Sequence, residues 1–249
     1  MTIKGRFIAL EGGEGVGKST QAKALAQALS ELGLDVVVTR EPGGSEGAEK
    51  IRELLLAGSE ERWGPRAEAL LFAAARADHL DKTIKPGLEA GRWVLSDRFI
   101  DSSLAYQGGA GGLGIEAVRA INTFGIGEDF PDRTLVLVHE EGGKRARQRD
   151  TEGSDRIGGR SDEYHGKVIA AFRIVAAEEP ERVKLIDASG TPKEVTERLL
   201  GALEDLLPGL LGRIAPSINS RAPGHRASFT MPGCWPDRRA SARRTSRTR

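Results

Sequence analysis

The sequence contains a single cysteine, Cys234, and no long apolar run. One cysteine cannot form an intramolecular disulfide, which excludes a disulfide-stapled secreted scaffold and favours an intracellular protein. The N-terminus lacks the apolar core of a signal peptide, and no segment approaches the roughly 20 apolar residues needed to span a bilayer. We therefore expect a cytoplasmic protein without a membrane partner.

Lysine and acidic residues are nearly missing from the C-terminal end. Residues 213–249 contain nine arginines, no lysine and one acid, Asp237. Removing them from the 37 basic and 36 acidic residues of the chain leaves 28 and 35. Residues 1–212 thus carry a net charge of −7, although the whole chain carries +1. This acidic body argues against a general nucleic-acid surface there.

The composition changes after residue 207. Residues 208–249 lack apolar periodicity, repeat proline and end in arginine and serine, which predicts a largely disordered tail. A basic tail could bind nucleic acid or an acidic partner. It could also be an unstructured extension or an out-of-frame reading of the end of the gene. We predict a globular domain over 1–207 and a separate tail over 208–249.

The first 207 residues alternate short apolar runs with longer helical patterns. The predicted strands are residues 6–10, 35–39, 92–96, 133–138 and 182–187. The predicted helices are residues 18–32, 48–58, 66–91, 116–125, 162–179 and 191–207, with Pro86 interrupting the third. Strands separated by helices of this length imply right-handed crossovers. The prediction is an α/β fold with a five-stranded, mainly parallel sheet and helices on both faces.

A glycine-rich loop joins the first predicted strand to the first predicted helix. Its sequence, GGEGVGKS over 12–19, fits the phosphate-binding pattern G-x-x-x-x-G-K-[ST] in full. Glycines let the backbone curl so that successive N–H groups point at an anion. Lys18 then reaches the β- and γ-phosphates, and the Ser19 hydroxyl binds Mg²⁺. The alternative is a glycine-rich turn that matches by chance.

The strand–loop–helix order favours the phosphate-binding interpretation. It predicts a nucleoside triphosphate and Mg²⁺ as ligands, on a P-loop NTPase-type three-layer sandwich. The predicted nucleotide-binding residues are Gly12, Gly13, Glu14, Gly15, Val16, Gly17, Lys18, Ser19 and Thr20.

Three further segments concern the group that receives the phosphate: TREPGG at 39–44, LLFAAARADH at 70–79 and SDRFIDSSLAYQG at 96–108. With the glycine-rich loop, they stand in the order and rough spacing of the bacterial thymidylate kinases, which the chain resembles over about residues 6–207. The resemblance implies transfer of the ATP γ-phosphoryl group to thymidine monophosphate (dTMP), giving the diphosphate. It also implies a P-loop kinase fold that is usually a homodimer.

Four residues suit the acceptor chemistry. Arg98 follows a predicted strand, where ligands bind in parallel sheets, and offers a planar two-pronged donor. Phe72 and Arg76 are four apart and share a helix face, so one can stack on a pyrimidine while the other donates to a carbonyl. The resemblance implies that Arg98 holds the monophosphate, that Asp97 lies near the metal and that Phe72 and Arg76 read thymine. The alternatives are a surface ion pair, a core phenylalanine and a solvated arginine.

The resemblance implies further contacts to the acceptor. It places Tyr106 under the sugar, where it disfavours a 2′-hydroxyl, and Ser103 at the base edge, with Gln107 also on the substrate side. These three stand among residue types that are common in loops. Glu14 adds a negative charge beside the phosphates, and the resemblance implies that it accepts a hydrogen bond from the 3′-hydroxyl. The alternative is a glutamate that points into solvent.

Arg40 and Glu41 follow a predicted strand and are expected to face the acceptor phosphate and a metal-bound water. The sequence does not assign either contact to one of the two residues. Phosphoryl transfer also needs positive charge around the moving group and exclusion of water. Residues 144–165 supply five arginines and a glycine-rich middle, as expected of a closing lid. The candidate lid arginines are Arg149, Arg156 and Arg160, with Arg156 the best match.

The chain departs from the family pattern around this lid. After residue 138 the family usually continues with aspartate and proline, whereas this chain has HEEGG, and Gly158 and Gly159 stand where an acid is common. Two other functions stay open beside the thymidylate kinase interpretation. One is a P-loop kinase with another small acceptor, and the other is a nucleotide-dependent switch or assembly ATPase.

Overall fold

The computed structural model describes residues 5–139 and 156–207. Within them, five parallel strands form one sheet in the order β2-β3-β1-β4-β5. The strands are β1 (Phe7–Gly12), β2 (Val36–Arg40), β3 (Trp93–Asp97), β4 (Arg133–Val138) and β5 (Val183–Asp187). All five predicted strands are confirmed, each to within two residues. The N-terminal strand β1 lies at the centre of the sheet. The loop that follows it is therefore central among the carboxyl ends of the strands.

Alternating side chains of β1 enter two separate cores. Phe7 and Ala9 pack on one face of the sheet, while Ile8 and Leu10 pack on the other. Both faces are buried, which explains why the strands read as continuous apolar runs rather than as alternating ones. Helices cover both faces, as predicted, and the fold is a three-layer α/β sandwich.

Helices connect the strands. Their bounds are α1 (Lys18–Glu31), α2 (Glu46–Leu56), α3 (Pro65–His79), α4 (Lys85–Glu89), α5 (Ile100–Ser103), α6 (Ile115–Ile126), α7 (Asp162–Glu178) and α8 (Pro192–Gly201). Short 3₁₀ turns occupy Glu60–Arg62 and Glu204–Leu206. Helix α8 begins with a capping box, because the Thr191 hydroxyl accepts from the Glu194 N–H while the Glu194 carboxylate accepts from the Thr191 N–H.

Two π-helical segments depart from the sequence-based expectation. Leu80–Ile84 joins α3 to α4. The predicted helix over 66–91 is therefore two α-helices connected by a π-helical segment, not one regular helix. Leu104–Ala110 continues α5, so the residues expected in a loop after Arg98 are helical instead. Widened turns of this kind often occur at functional sites, because they change the direction of side chains.

The N-terminal part of the predicted lid, residues 144–155, and the predicted tail over 208–249 lie outside the described residues. Among the residues that are described, no helix has the length and apolar character needed to cross a membrane.

Candidate active site

The glycine-rich loop after β1 has the conformation that its sequence predicts. Gly12, Gly15 and Gly17 have φ values of +137°, +68° and +96°, which side chains with a Cβ rarely adopt. At Gly12 a Cβ would lie 2.5 Å from the Leu137 carbonyl oxygen, so the close approach to β4 also requires glycine. The loop leads directly into the N-terminus of α1, where unpaired backbone N–H groups attract an anion.

Lys18 lies folded over this loop. Its Nζ donates to the carbonyl oxygens of Gly12, at 3.2 Å, and Gly13, at 2.7 Å. Burial and the nearby Arg98 lower the pKa of Lys18, and the Glu14 carboxylate partly offsets them, leaving a pKa of about 8. A lysine held by two carbonyl oxygens at the loop is positioned to transfer its hydrogen bonds to phosphate oxygens.

Ser19 and Asp97 meet beside the loop, although they are far apart in the sequence. The Ser19 hydroxyl donates to Asp97 Oδ2 at 2.8 Å. Among the described residues, no group of three or more metal-ligating side chains occurs. One hydroxyl and one carboxylate are a sparse donor set, which suits Mg²⁺ because this ion retains waters and takes ligands from phosphates. The two residues predicted to serve the metal are therefore adjacent.

Glu14, Arg98 and Tyr106 form a connected cluster above the loop. Arg98 donates to Glu14 Oε1 at 2.5 Å, and the Tyr106 hydroxyl donates to the same oxygen at 3.0 Å. Burial opposes ionisation of Glu14, but the charges of Arg98 and Lys18 outweigh it and lower its pKa to about 2. Glu14 is thus held by Arg98 and Tyr106 rather than pointing freely into solvent, and its contact with the acceptor stays a prediction.

Arg98 has an unusual backbone conformation for a non-glycine residue, with φ of +75°. Its N–H donates to the Leu10 carbonyl, and its own carbonyl accepts from the Ser96 hydroxyl. Its guanidinium also donates to Ser102 Oγ at 3.1 Å and lies 5.1 Å from the Tyr106 ring centre. Strained conformations cluster at functional sites, where the surrounding bonds hold them.

Glu11 holds residues 99–102 in place, a role that the sequence motifs do not predict. Its buried carboxylate accepts from the Phe99 N–H, the Ser102 N–H and the Ser102 hydroxyl. Burial raises its pKa to about 7. Glu11 therefore fastens the Arg98 turn to the end of β1. A glutamate in an otherwise apolar strand, FIALEG, was the signal that could have revealed it.

Arg76 is almost completely buried, with 1% exposure, so the solvated-arginine alternative is wrong. It donates to Glu41 at 2.8 Å, to Ser103 at 2.9 Å, to the Phe99 carbonyl at 2.9 Å and to Asn122 Oδ1. These contacts use four of its five N–H donors, and one on Nη2 has no acceptor among the described residues. Phe72, one turn earlier on α3, packs partly buried against the core.

Glu41 lies between two side chains of α3. Its Oε2 accepts from Arg76, and its Oε1 lies 3.1 Å from His79 Nδ1. Glu41 therefore orients Arg76, and its contact with the acceptor phosphate or a metal-bound water stays a prediction. Arg40 donates to both carboxylate oxygens of Glu49 at 3.1 Å, which anchors it to α2.

Arg156, the best-matching lid arginine, lies against helix α3. Arg156 is buried, where it donates to the Leu55 carbonyl at 2.9 Å and to Glu68 Oε2 at 2.5 Å. Arg160 donates to the same oxygen at 2.8 Å, and Gln107 donates to Glu68 Oε1 at 2.9 Å. Both described lid arginines are thus held by one carboxylate of α3, and a contact of either with the moving phosphoryl group stays a prediction. Arg149 lies outside the described residues.

The site therefore brings the glycine-rich loop, Ser19, Asp97, Glu14, Arg98 and Tyr106 together, with Arg76 and Ser103 in direct contact beside them. Glu68, like Glu11, was missed by sequence reasoning. Both are buried carboxylates whose partners come from distant parts of the chain.

Comparisons with known proteins identify the family of the chain. The family described as thymidylate kinase matches residues 10–199. A thymidylate kinase of Rhizorhabdus wittichii is 60% identical over 208 residues, which cover 83% of this chain and 100% of that protein. One from Bradyrhizobium diazoefficiens is 48% identical over 209 residues, covering 82% of this chain and 92% of that protein.

A solved structure is also similar. The crystal structure of thymidylate kinase from Ehrlichia chaffeensis superposes with a TM-score of 0.66 at 31% identity, covering 80% of this chain and 99% of that one. Fold, site and sequence therefore point the same way, and the chain belongs to the thymidylate kinase family.

Proposed function

We propose that the protein phosphorylates dTMP to the diphosphate with ATP and Mg²⁺, a step in dTTP synthesis. Membership of the thymidylate kinase family supports the reaction. The observation that carries the proposal is the contact of Glu14 with Arg98 and Tyr106, because it joins the phosphate loop to the acceptor side. Residues 1–207 would form the kinase domain, acting in the cytoplasm, and residues 208–249 an appended tail.

Catalysis would rest on positioning and charge neutralisation, without a covalent enzyme intermediate. The loop N–H groups and Lys18 would hold the ATP phosphates. Ser19 and Asp97 would hold Mg²⁺, which when bound supplies positive charge at the phosphate oxygens. An arginine from the lid over 144–165 would complete the charge around the moving group, with Arg149, Arg156 and Arg160 as the candidates.

The acceptor phosphate would bind Arg98. The guanidinium presents a planar donor pair that a phosphate dianion can share, and such pairs are stronger than neutral hydrogen bonds. Binding would exchange the Glu14 carboxylate for phosphate oxygens on Arg98. Glu14 would then accept from the 3′-hydroxyl, while Tyr106, whose hydroxyl meets the same carboxylate oxygen, would lie under the sugar.

The base would lie against Phe72. Arg76 is held by four contacts and keeps one N–H for a ring carbonyl, so its donor is fixed in place before the substrate arrives. A sugar or amino-acid acceptor has no use for an aromatic face beside a buried guanidinium. This arrangement therefore favours a pyrimidine nucleotide over other small acceptors.

A coupled ADP-release assay with ATP, Mg²⁺ and each nucleoside monophosphate in turn tests the function. We expect turnover with dTMP well above turnover with other monophosphates. Turnover only with a different acceptor would establish another small-molecule kinase. ATP hydrolysis that needs DNA or protein, without any small acceptor, would instead establish a switch or assembly ATPase.

Replacing Arg76 with alanine should raise KM for dTMP about a hundredfold and leave KM for ATP nearly unchanged, because an NH-to-carbonyl contact and its orientation are lost. It should also lower the free energy of unfolding by about 3–5 kcal/mol, since Glu41 loses its buried partner. Steady-state kinetics and denaturant unfolding measure the two effects. Arg76→Lys, which keeps the charge, should recover stability more than dTMP affinity. Equal losses for both substrates would show that the base pocket lies elsewhere.

We also propose a homodimer. Phe124 on α6 is 95% exposed, and Leu70 on α3 is 57% exposed. Helices α6 and α3 pack closely beside these residues. A Cβ added at Gly125 of α6 would lie only 3.3 Å from the Ala77 side chain of α3. Two large apolar side chains beside one helix contact are best explained by a second copy that covers them.

Replacing Phe124 with glutamate should convert the dimer into monomers, because burying an unpaired carboxylate at an apolar contact costs several kcal/mol. Sedimentation velocity or light scattering measures the change. Leu185→Glu, at another exposed apolar residue on β5, is the control and should leave the dimer intact. A monomeric wild-type protein, or a dimer that survives Phe124→Glu, would contradict the assignment.

A further inference from the structure

Glu68 and Gln107 form a buried pair beside the acceptor pocket. Glu68 lies one turn before Phe72 on α3, and Gln107 lies one turn after Ser103 in the helical segment that follows Arg98. The Gln107 Nε2 donates to Glu68 Oε1 at 2.9 Å. On the other side of Phe72, Arg76 donates to Ser103. Two polar contacts thus connect the same helical segments and flank the aromatic ring.

The charge partners of Glu68 determine which end of the Gln107 amide it meets. Arg156 and Arg160 both donate to Glu68 Oε2, so the carboxylate offers only acceptor oxygens to Gln107. An amide beside an acceptor must present its NH₂ group, since its carbonyl oxygen would be repelled. The Glu68 charge therefore fixes the polarity of the Gln107 side chain.

This orientation leaves the Gln107 Oε1 available. Gln107 is 3% exposed, yet no donor to its Oε1 occurs among the described residues. Arg76, with one N–H to spare, is equally buried. An acceptor and a donor on largely buried side chains, each without a further protein partner among the described residues, leave hydrogen bonds for a ligand to complete.

We propose that Glu68 is a specificity-determining positioning residue that sets Gln107 as an acceptor and so selects thymine over cytosine. The inference rests on the proposed function. Thymine presents a ring N–H beside a carbonyl, which match the Gln107 oxygen and the Arg76 N–H. Cytosine presents a ring nitrogen acceptor beside an amino group, which mismatches both. A site built around a hydrogen-bond pattern rejects the reversed pattern strongly, because its buried polar groups lose their partners.

The test compares kcat/KM for dTMP and dCMP in the full chain and in two variants. Glu68→Gln keeps the shape but replaces an obligate acceptor with an amide, so Gln107 can turn its NH₂ group toward the base. The ratio of kcat/KM for dTMP over dCMP should fall about tenfold or more, with KM for ATP unchanged. A purely structural role would lower both activities alike and preserve the ratio. An unchanged ratio in a folded Glu68→Gln protein would overturn the proposal.

Removing the Glu68 charge also weakens the ion pairs with two arginines, so a second variant guards against misfolding. Gln107→Leu keeps both ion pairs and removes the amide; it should lower the same ratio by about tenfold, mainly through loss of dTMP activity. If the ratio survives in Gln107→Leu, the amide does not discriminate and the proposal fails whatever Glu68→Gln does. Wild-type protein without dTMP kinase activity would instead overturn the proposed function itself.

Discussion

Replacing Lys18 with methionine should lower kcat for dTMP phosphorylation by about a thousandfold, the size of effect seen when one preorganised donor to a developing charge is removed. Methionine retains most of the length of the side chain but no charge. The wild-type ammonium lies against the Gly12 and Gly13 carbonyl oxygens, directly at the phosphate loop. Its loss removes positive charge where negative charge builds up on the moving phosphoryl group. Single-turnover kinetics with saturating ATP and dTMP measure the chemical step.

Lys23 provides a matched control for this substitution, because it is exposed on the same helix α1. Lys23→Met should leave kcat within about twofold of wild type, as is usual for surface substitutions away from special features. A Lys18→Met enzyme with kcat close to wild type would exclude this lysine from the chemistry. Circular dichroism of each variant verifies that the fold is retained.

Replacing Arg98 with methionine should raise KM for dTMP by about thirtyfold to several thousandfold, because removing one partner of a buried charged contact to a ligand costs about 2–5 kcal/mol. The guanidinium bridges the loop and the acceptor side through Glu14 and Ser102. Its removal leaves the Glu14 carboxylate without its cation, so the site becomes more negative where a phosphate dianion must bind. The lost donor and the uncompensated Glu14 charge both weaken dTMP binding.

Initial rates at varied dTMP and fixed ATP measure this effect. Arg98→Lys keeps the charge without the planar fork and should fall between wild type and Arg98→Met. Arg66→Met, at an exposed arginine on α3, is the control for loss of a cation and should not change KM for dTMP. A larger loss of affinity for ATP than for dTMP in Arg98→Met would place Arg98 on the nucleotide side.

The sheet is predictable from the sequence because its physics is local. A parallel strand with both faces buried consists of consecutive apolar residues. Residues Ile8 to Leu10 and Leu135 to Leu137 can therefore be recognised as strands without knowing which strands pair with them. The phosphate loop is predictable for the same reason. Its geometry depends on glycine φ values and on the strand and helix that flank it, all within a short stretch of chain.

The buried carboxylates are harder to predict, because their roles depend on residues far away in the sequence. The sequence predicts a place for Glu41 near the phosphate or metal, but not its contacts with Arg76 and His79, which lie 35 and 38 positions further along the chain. Glu11 and Glu68 look like ordinary charged residues of a strand and a helix until the fold brings backbone N–H groups or arginines against them. Likewise, the sequence predicts a phosphate contact for Arg156 but not its ion pair with Glu68, because a sequence shows charge and not which opposite charge is nearer.

The helical path of residues 100–110 escaped prediction for a related reason. Serine, tyrosine and glycine have weak helical preference, and tertiary contacts decide their conformation. The Ser102 N–H and hydroxyl bind Glu11, while Tyr164 donates to the Tyr106 carbonyl at 2.8 Å. Such contacts, and not the local sequence, favour the helical path that carries Tyr106 and Gln107 to the site.

The central position of β1 has a consequence for the order of folding. On the ribosome this strand and its phosphate loop are made first, but their partners come much later, since Phe7 pairs with Val94 and Ile8 with Arg133. Non-local pairings of this kind close slowly, and incomplete chains leave apolar strand edges exposed. The glycine-rich loop is therefore the earliest segment of the candidate site to be synthesised and among the last to acquire its shape. Nascent chains that stop before β4 would need protection from aggregation rather than nucleotide.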